Sequence, residues 1–187
     1  YFALASLFSG QLYSADGKLL GTAALIQIEG TSGGGIVPWA TLAGYDSQEE
    51  YSANSAIARV STNDYALHTL AFATSFRDRI ELSVARQTFD LSSLGGEINQ
   101  NIVGVKARLY GDIIYSEWPQ ISLGIQYKNL SNQNIANALG AKKADQGIDV
   151  YIAATKVHVD ALFGHNLVWN LAVRGTKANQ GGLLGFQ

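Results

Sequence analysis

Segments of about ten residues in which apolar and polar side chains alternate recur along the chain, separated by short polar turns. In NLVWNLAVRG (166–175), Leu167, Trp169, Leu171 and Val173 take one face while Asn166, Asn170 and Arg174 take the other. ISLGIQYK (121–128) sets Ile121, Leu123, Ile125 and Tyr127 against Ser122, Gly124, Gln126 and Lys128. In NIVGVKARLY (101–110), Val103, Val105, Ala107 and Leu109 oppose Lys106 and Arg108, so both charges share the polar face. A period of two is the strand period, and repeated segments of this length between short turns are the pattern of a transmembrane β-barrel. The strand-like segments fall near 19–28, 38–45, 51–61, 65–75, 79–89, 101–110, 119–128, 149–159 and 166–175, with a tenth starting near 183. The expected fold is all-β: an antiparallel up-and-down transmembrane β-barrel, incomplete in this fragment, with one short helix in a loop.

The connections alternate sides. If Asp16 is periplasmic, so are DSQEE (46–50), FRDR (76–79), GDIIYSEW (111–118) and DALFGH (160–165), all fairly short. The extracellular set is then EGTSGGGIVP (29–38), DLSSLGGEINQ (90–100) and the long stretch 129–148, with the tight STND turn (61–64) as the exception to the long-outside rule. Within 132–143, Ile135 and Leu139 stand one helical turn apart, Asn132 or Asn134 can cap the start and Gly140 the end. A helix this short is marginal alone in water and has to pack on the rim or in the mouth of the barrel.

Composition narrows the class. Charged residues are 15% of the 187, the hydrophobic fraction is 47% and the net charge is −2. A soluble barrel would alternate in the same way with its faces reversed, so periodicity alone does not choose between the two. Aromatic placement favours the membrane: Tyr45, Tyr51, Tyr65, Phe76, Phe89, Tyr110, Trp118, Tyr127 and Tyr151 fall at or near strand ends, as an interfacial girdle requires, although aromatics favour strands generally. Dispersed Lys and Arg residues argue against a nucleic-acid partner. The absence of cysteine excludes disulfide and thiolate chemistry. Residues 1–15, YFALASLFSGQLYSA, read as the remnant of a signal peptide, with a first β-strand as the rival, and 16–187 as a partial outer-membrane barrel domain. The lack of any methionine and the unfinished apolar segment 181–187 are read as marks of a fragment.

No residue set announces a reaction. TSGGGIVPW (31–39) has the glycine density of a phosphate loop but neither its Lys-Ser/Thr ending nor a following helix, so a flexible loop is expected. His68, His158 and His165 lack metal spacing, no cysteine accompanies them, and neither a metal nor another cofactor is expected. His68 with Ser83 or Ser55 could be forced into a hydrolase role, but no GxSxG or comparable motif supports it. Asp145 and Asp149 read as solvated loop charges.

The remaining polar positions define a candidate lumen lining: Glu81, Lys106, Arg108, Gln126, Lys128, Lys156, His158, Asn170 and Arg174. A Lys or Arg at the bilayer midplane costs about 2–4 kcal/mol, so this face must turn inward. Two accounts follow. Either the lining is an open pore with a basic bias, passing small hydrophilic and preferentially anionic solutes, or its charges pair and fill the interior of a structural or adhesion barrel. An outer-membrane lipid hydrolase is a third possibility. The partners expected are outer-membrane lipid and small solutes, the location is the bacterial outer membrane, and the oligomeric state stays open.

The segments GGGIVPWATLAGY (33–45), ELSVARQTFD (81–90), QNIVGVKARLYGD (100–112), PQISLGIQYK (119–128), LGAKKADQGIDVYIAATK (139–156) and RGTKANQGGLLGF (174–186) together resemble a family of Gram-negative proteins of unknown function. The resemblance implies an outer-membrane β-barrel and carries over no functional residue.

Overall fold

A computed structural model describes residues 25–44, 51–91, 95–131, 134–138, 140 and 144–187. Seven long strands form one antiparallel meander: β3 (Tyr51–Ser61), β4 (Ala66–Phe76), β5 (Ile80–Leu91), β6 (Gly96–Tyr110), β7 (Gln120–Leu130), β8 (Gln146–Leu162) and β9 (His165–Gly175). Before them lies a tight ribbon of β1 (Gly33–Gly34) and β2 (Val37–Pro38). The long sheet curls into a half-barrel, and among the described residues its edges β3 and β9 each pair on one side only.

The period-two pattern settles the two faces. Leu70, Phe72, Leu82, Val84, Val103, Val105, Leu123, Ile125, Ile152, Leu171 and Val173 stand exposed on the convex side. Their neighbours one position along, including Ser83, Lys106, Ser122 and Gln126, are buried on the concave side. That burial comes from segment 25–44, which lies inside the curl instead of adding to the sheet. The inner positions of β4 and β5 are small, Ala71, Ala73, Ser75, Ser83 and Ala85, and the volume they leave admits Ile26 and Ala43. At Gly30, with φ +95°, a Cβ would come within 2.8 Å of the Ala85 methyl, so only glycine allows the backbone this close.

These observations correct several sequence expectations. The described parts of 19–28 and 38–45 are not wall strands, and 29–38 is not an outer loop: Glu29, Thr31 and Ser32 are buried against the inner wall. The glycine-rich stretch is a tight two-stranded ribbon with Gly33 and Pro38 buried at its base and Ile36 and Val37 exposed at its tip. Residues 1–24 and 45–50 lie outside the described residues, and with them the signal-remnant reading, the 46–50 connection and Tyr45.

Near residue 183 a short 3-10 turn (Asn179–Gly182) replaces the expected tenth strand, and Phe186 bridges to Ala144 and Ala178. Helix α1 (Asn134–Ala138) occupies the predicted region but is shorter than 132–143. Its Ala136 packs with Leu91, Ile98 and Leu130, flanked by Ile135, Leu183 and Leu184, so that this apolar cluster stops one end of the half-barrel.

Candidate functional site

The inner wall carries two charge clusters, each completed by segment 25–44. The first rests on β5 and β6, whose register sets Glu81 directly opposite Lys106 at 3.3 Å. Both side chains are fully buried. Glu81 accepts from the Ser32 backbone N–H (3.0 Å), the Ser32 hydroxyl (2.6 Å), the Ala43 N–H (2.8 Å) and the Thr31 hydroxyl. Lys106 donates to the carbonyls of Ser32 (3.0 Å) and Thr41 (2.9 Å) and to the Ser32 hydroxyl (2.6 Å). A buried ion pair is tolerable only when its remaining lone pairs and protons are satisfied; here segment 25–44 does most of that.

The second cluster spans three strands. Lys128 on β7 lies 3.2 Å from Asp149 on β8, and Arg174 on β9 also bonds Asp149. Glu29 arrives from the segment and receives both cations: Arg174 Nη1 at 2.6 Å and Nη2 at 3.2 Å, with Lys128 Nζ beside them. The Gln126 amide oxygen accepts from Arg174 at 3.2 Å, and the Gly181 carbonyl from Lys128 at 3.2 Å. Between the clusters the Tyr151 hydroxyl bonds Thr31 at 3.1 Å. Its ring lies so close to Gly124 that a Cβ there would approach the ring carbon at 2.1 Å.

Smaller contacts continue the seam. Gln87 donates to the Ile28 carbonyl (2.7 Å), Gln120 to the Ala40 carbonyl (2.7 Å), and the Ala40 N–H donates to Thr155 (2.8 Å).

Of the nine lining positions read from the sequence, Glu81, Lys106, Gln126 and Lys128 are buried on the inner face, and Asn170 and Arg174 are half-buried there. Arg108 sits at the rim, bonded to Asp78, to Asp112 (3.0 Å) and to the Gly111 carbonyl (2.7 Å).

Lys156 and His158 are the exceptions. The β8 to β9 register pairs them with Trp169 and Leu167, both convex-face positions, while Thr155 pairs with inward Asn170. Lys156 is nevertheless buried, because the 111–118 loop folds over it and offers the carbonyls of Ile114 (3.3 Å), Ser116 and Asp112 (3.5 Å). His158 is exposed and accepts from the Trp169 indole at 3.1 Å.

Three further expectations change. Asp149 is a fully buried ion-pair member, not a solvated loop charge, because it stands on the inner face of β8 beside Lys128 and Arg174. Tyr151 is an inner-face residue, not part of a girdle. His68, paired with Arg59 and Thr88, faces away from inward Ser83, so the register separates that combination.

Glu29, Thr31 and Ser32 were invisible as site residues, since nothing in their spacing says that a chain segment will lie inside a barrel. Asp149 carried a signal: it opens the 149–159 segment and shares the parity of Tyr151 and Thr155, which places it on the inner face.

The fold and the seam define an all-β antiparallel half-barrel with an apolar convex face and a polar concave face filled by its own chain. The protein belongs to the DUF3034 family, proteins of unknown function, whose family model matches residues 22–187. No curated protein and no solved structure matches the chain significantly.

Proposed function

We propose that the chain is the wall of an outer-membrane β-barrel whose interior is filled by segment 25–44, a structural or adhesion barrel closed to free solute flow. The observation that carries this reading is the polarity of the sheet: apolar side chains exposed outward, ion pairs buried inward. A soluble binder needs the reverse arrangement.

Aromatic pairs at both strand ends support a bilayer setting. Tyr51 meets Phe76 edge-on with centroids 5.6 Å apart, and Tyr65 stacks on Phe89 at 6.0 Å. The apolar convex positions run to the tips of the strands at the 77–79 turn but give way to Arg86, Asn101 and Glu97 toward the 92–95 connection. That asymmetry favours an orientation in which the 92–95 end projects beyond the bilayer, into the extracellular space.

Charge arithmetic favours the filled interior over the open pore. Lys106, Lys128 and Arg174 supply three positive charges, and Glu81, Asp149 and Glu29 three negative ones, so the apparent basic bias cancels. In a bilayer the outer edges of β3 and β9, which have no partner strand among the described residues, would be costly, so the reading requires pairing partners for both edges.

The test is the full-length protein. It should resist alkaline extraction from membranes and show no steady conductance in planar bilayers. Extraction into the aqueous fraction would remove the bilayer reading, whereas a constant open conductance would restore the porin-like alternative.

A further inference from the structure

Without segment 25–44 the second charge cluster is one carboxylate short. Lys128 and Arg174 contribute two positive charges on the wall and Asp149 one negative charge, a net of +1 that the segment has to neutralise. Glu29 supplies the missing anion from a different stretch of chain, and the Arg174 guanidinium grips its two oxygens through two separate nitrogens. Such a fork is the geometry by which arginine recognises a carboxylate. The Arg174 Nε is also buried with no partner among the described residues, so the site retains an unused donor.

We propose that Lys128 and Arg174, the latter held by the Gln126 amide oxygen, form a binding site for the carboxylate of a small organic anion, and that Glu29 is a tethered occupant standing in for it. The inference rests on reading the concave face as a closed interior and adds a ligand class to it. Glu29 differs from the wall carboxylates in a way that fits this role. Glu81 is fixed by four donors from segment 25–44, and Asp149 belongs to the strand itself. The Glu29 carboxylate meets the wall through the two cations, apart from a 3.5 Å contact from Gln27 within its own segment. A free carboxylate can offer those cations the same bonds. The segment beside it is held by Ile26, packed among the small residues of β4 and β5, and by polar contacts such as Gln87 to Ile28 and Gln126 to the Glu29 carbonyl, none of which uses the Glu29 carboxylate. A ligand that displaces Glu29 therefore competes with one salt-bridged side chain and leaves the Glu81–Lys106 anchor intact.

Chemical rescue in detergent micelles tests the site without a bilayer, so its outcome is independent of whether the full-length protein conducts. The full-length Glu29→Ala variant is refolded and melted in acetate, and in chloride of equal ionic strength. Acetate should raise the melting temperature of the variant by a few degrees in a saturable manner, and should leave the wild type, whose site is occupied, unchanged. If the variant does not fold in chloride, the readout becomes refolding yield, which acetate should restore. Adding Lys128→Gln and Arg174→Gln to Glu29→Ala should abolish the acetate effect. An acetate effect no larger than that of chloride, or one that persists when both cations are gone, would overturn the proposal.

Discussion

At the scale of single residues the fold is decided by what the inner face can accommodate. Lys106 and Glu81 are fully buried, and each needs the other. Lys106→Met should cost about 3–5 kcal/mol by leaving Glu81 charged and unpaired, read from urea unfolding of the protein in micelles. Adding Glu81→Gln should recover only part of that loss, because the carboxylate also holds Ser32 and Ala43. Full recovery would mean that the segment contributes nothing to the pair. Gly124 carries a different constraint. The Tyr151 ring fills the space where a side chain would go, so Gly124→Val should destabilise by about 1–3 kcal/mol through overpacking. Combining it with Tyr151→Ala should relieve the clash while sacrificing the hydroxyl contact to Thr31. Equal losses for the single and double variants would contradict the close approach.

At the scale of elements, the 111–118 loop depends on Asp112. Burial pushes its carboxyl toward a higher pKa, but the backbone N–H groups of Ile114 and Tyr115 and the Arg108 guanidinium outweigh it and hold the group below its ordinary value. A depressed carboxyl contributes stability to the folded loop above its ordinary value, and the contribution is lost as pH falls below that value and through the lower one of the folded state. Amide protection of Ile114 and Tyr115, corrected for intrinsic exchange, should therefore be present at neutral pH, fall in acid, and be absent throughout in Asp112→Ala. Protection that survives in that variant would assign the loop to other contacts.

The elements also show how far the sequence could be read. Strands β3 to β9 were legible because one face of each is apolar and the other polar, which makes a period of two visible. Segment 25–44 was not, since it is enclosed by a polar wall and its apolar residues obey no single period. Short runs such as Leu25–Ile28 and Trp39–Ala43 therefore imitate strands. Lys156 was misassigned for a related reason. Polarity does not equal the inner face where β8 runs past the start of β7, because there a lysine can stand on the convex side beneath a loop that supplies carbonyls.

On the scale of the whole molecule, the convex face is apolar and exposed while the concave face is polar and covered by the chain's own segment 25–44. The convex apolar surface is large and continuous, well beyond isolated exposed residues, and the bilayer reading makes it the lipid contact. Val105→Arg should then impair assembly in lipid vesicles by about 2–4 kcal/mol, while Asn101→Arg, beyond the apolar positions, should cost far less. Equal tolerance of both substitutions would point to water on that face.

The central claim, lipid outside and protein inside, is tested most directly by single cysteines, which the chain itself lacks. Ser83→Cys and Ser122→Cys lie on the inner face, Leu123→Cys and Ile125→Cys on the convex face. With the full-length protein in vesicles, the two inner cysteines should resist both a small water-soluble thiol reagent and a lipid-dissolved one, and the two outer cysteines should react only with the lipid-dissolved reagent. Rapid modification of the inner pair from water would mean an open lumen, and modification of the outer pair from water would mean that no bilayer surrounds the sheet.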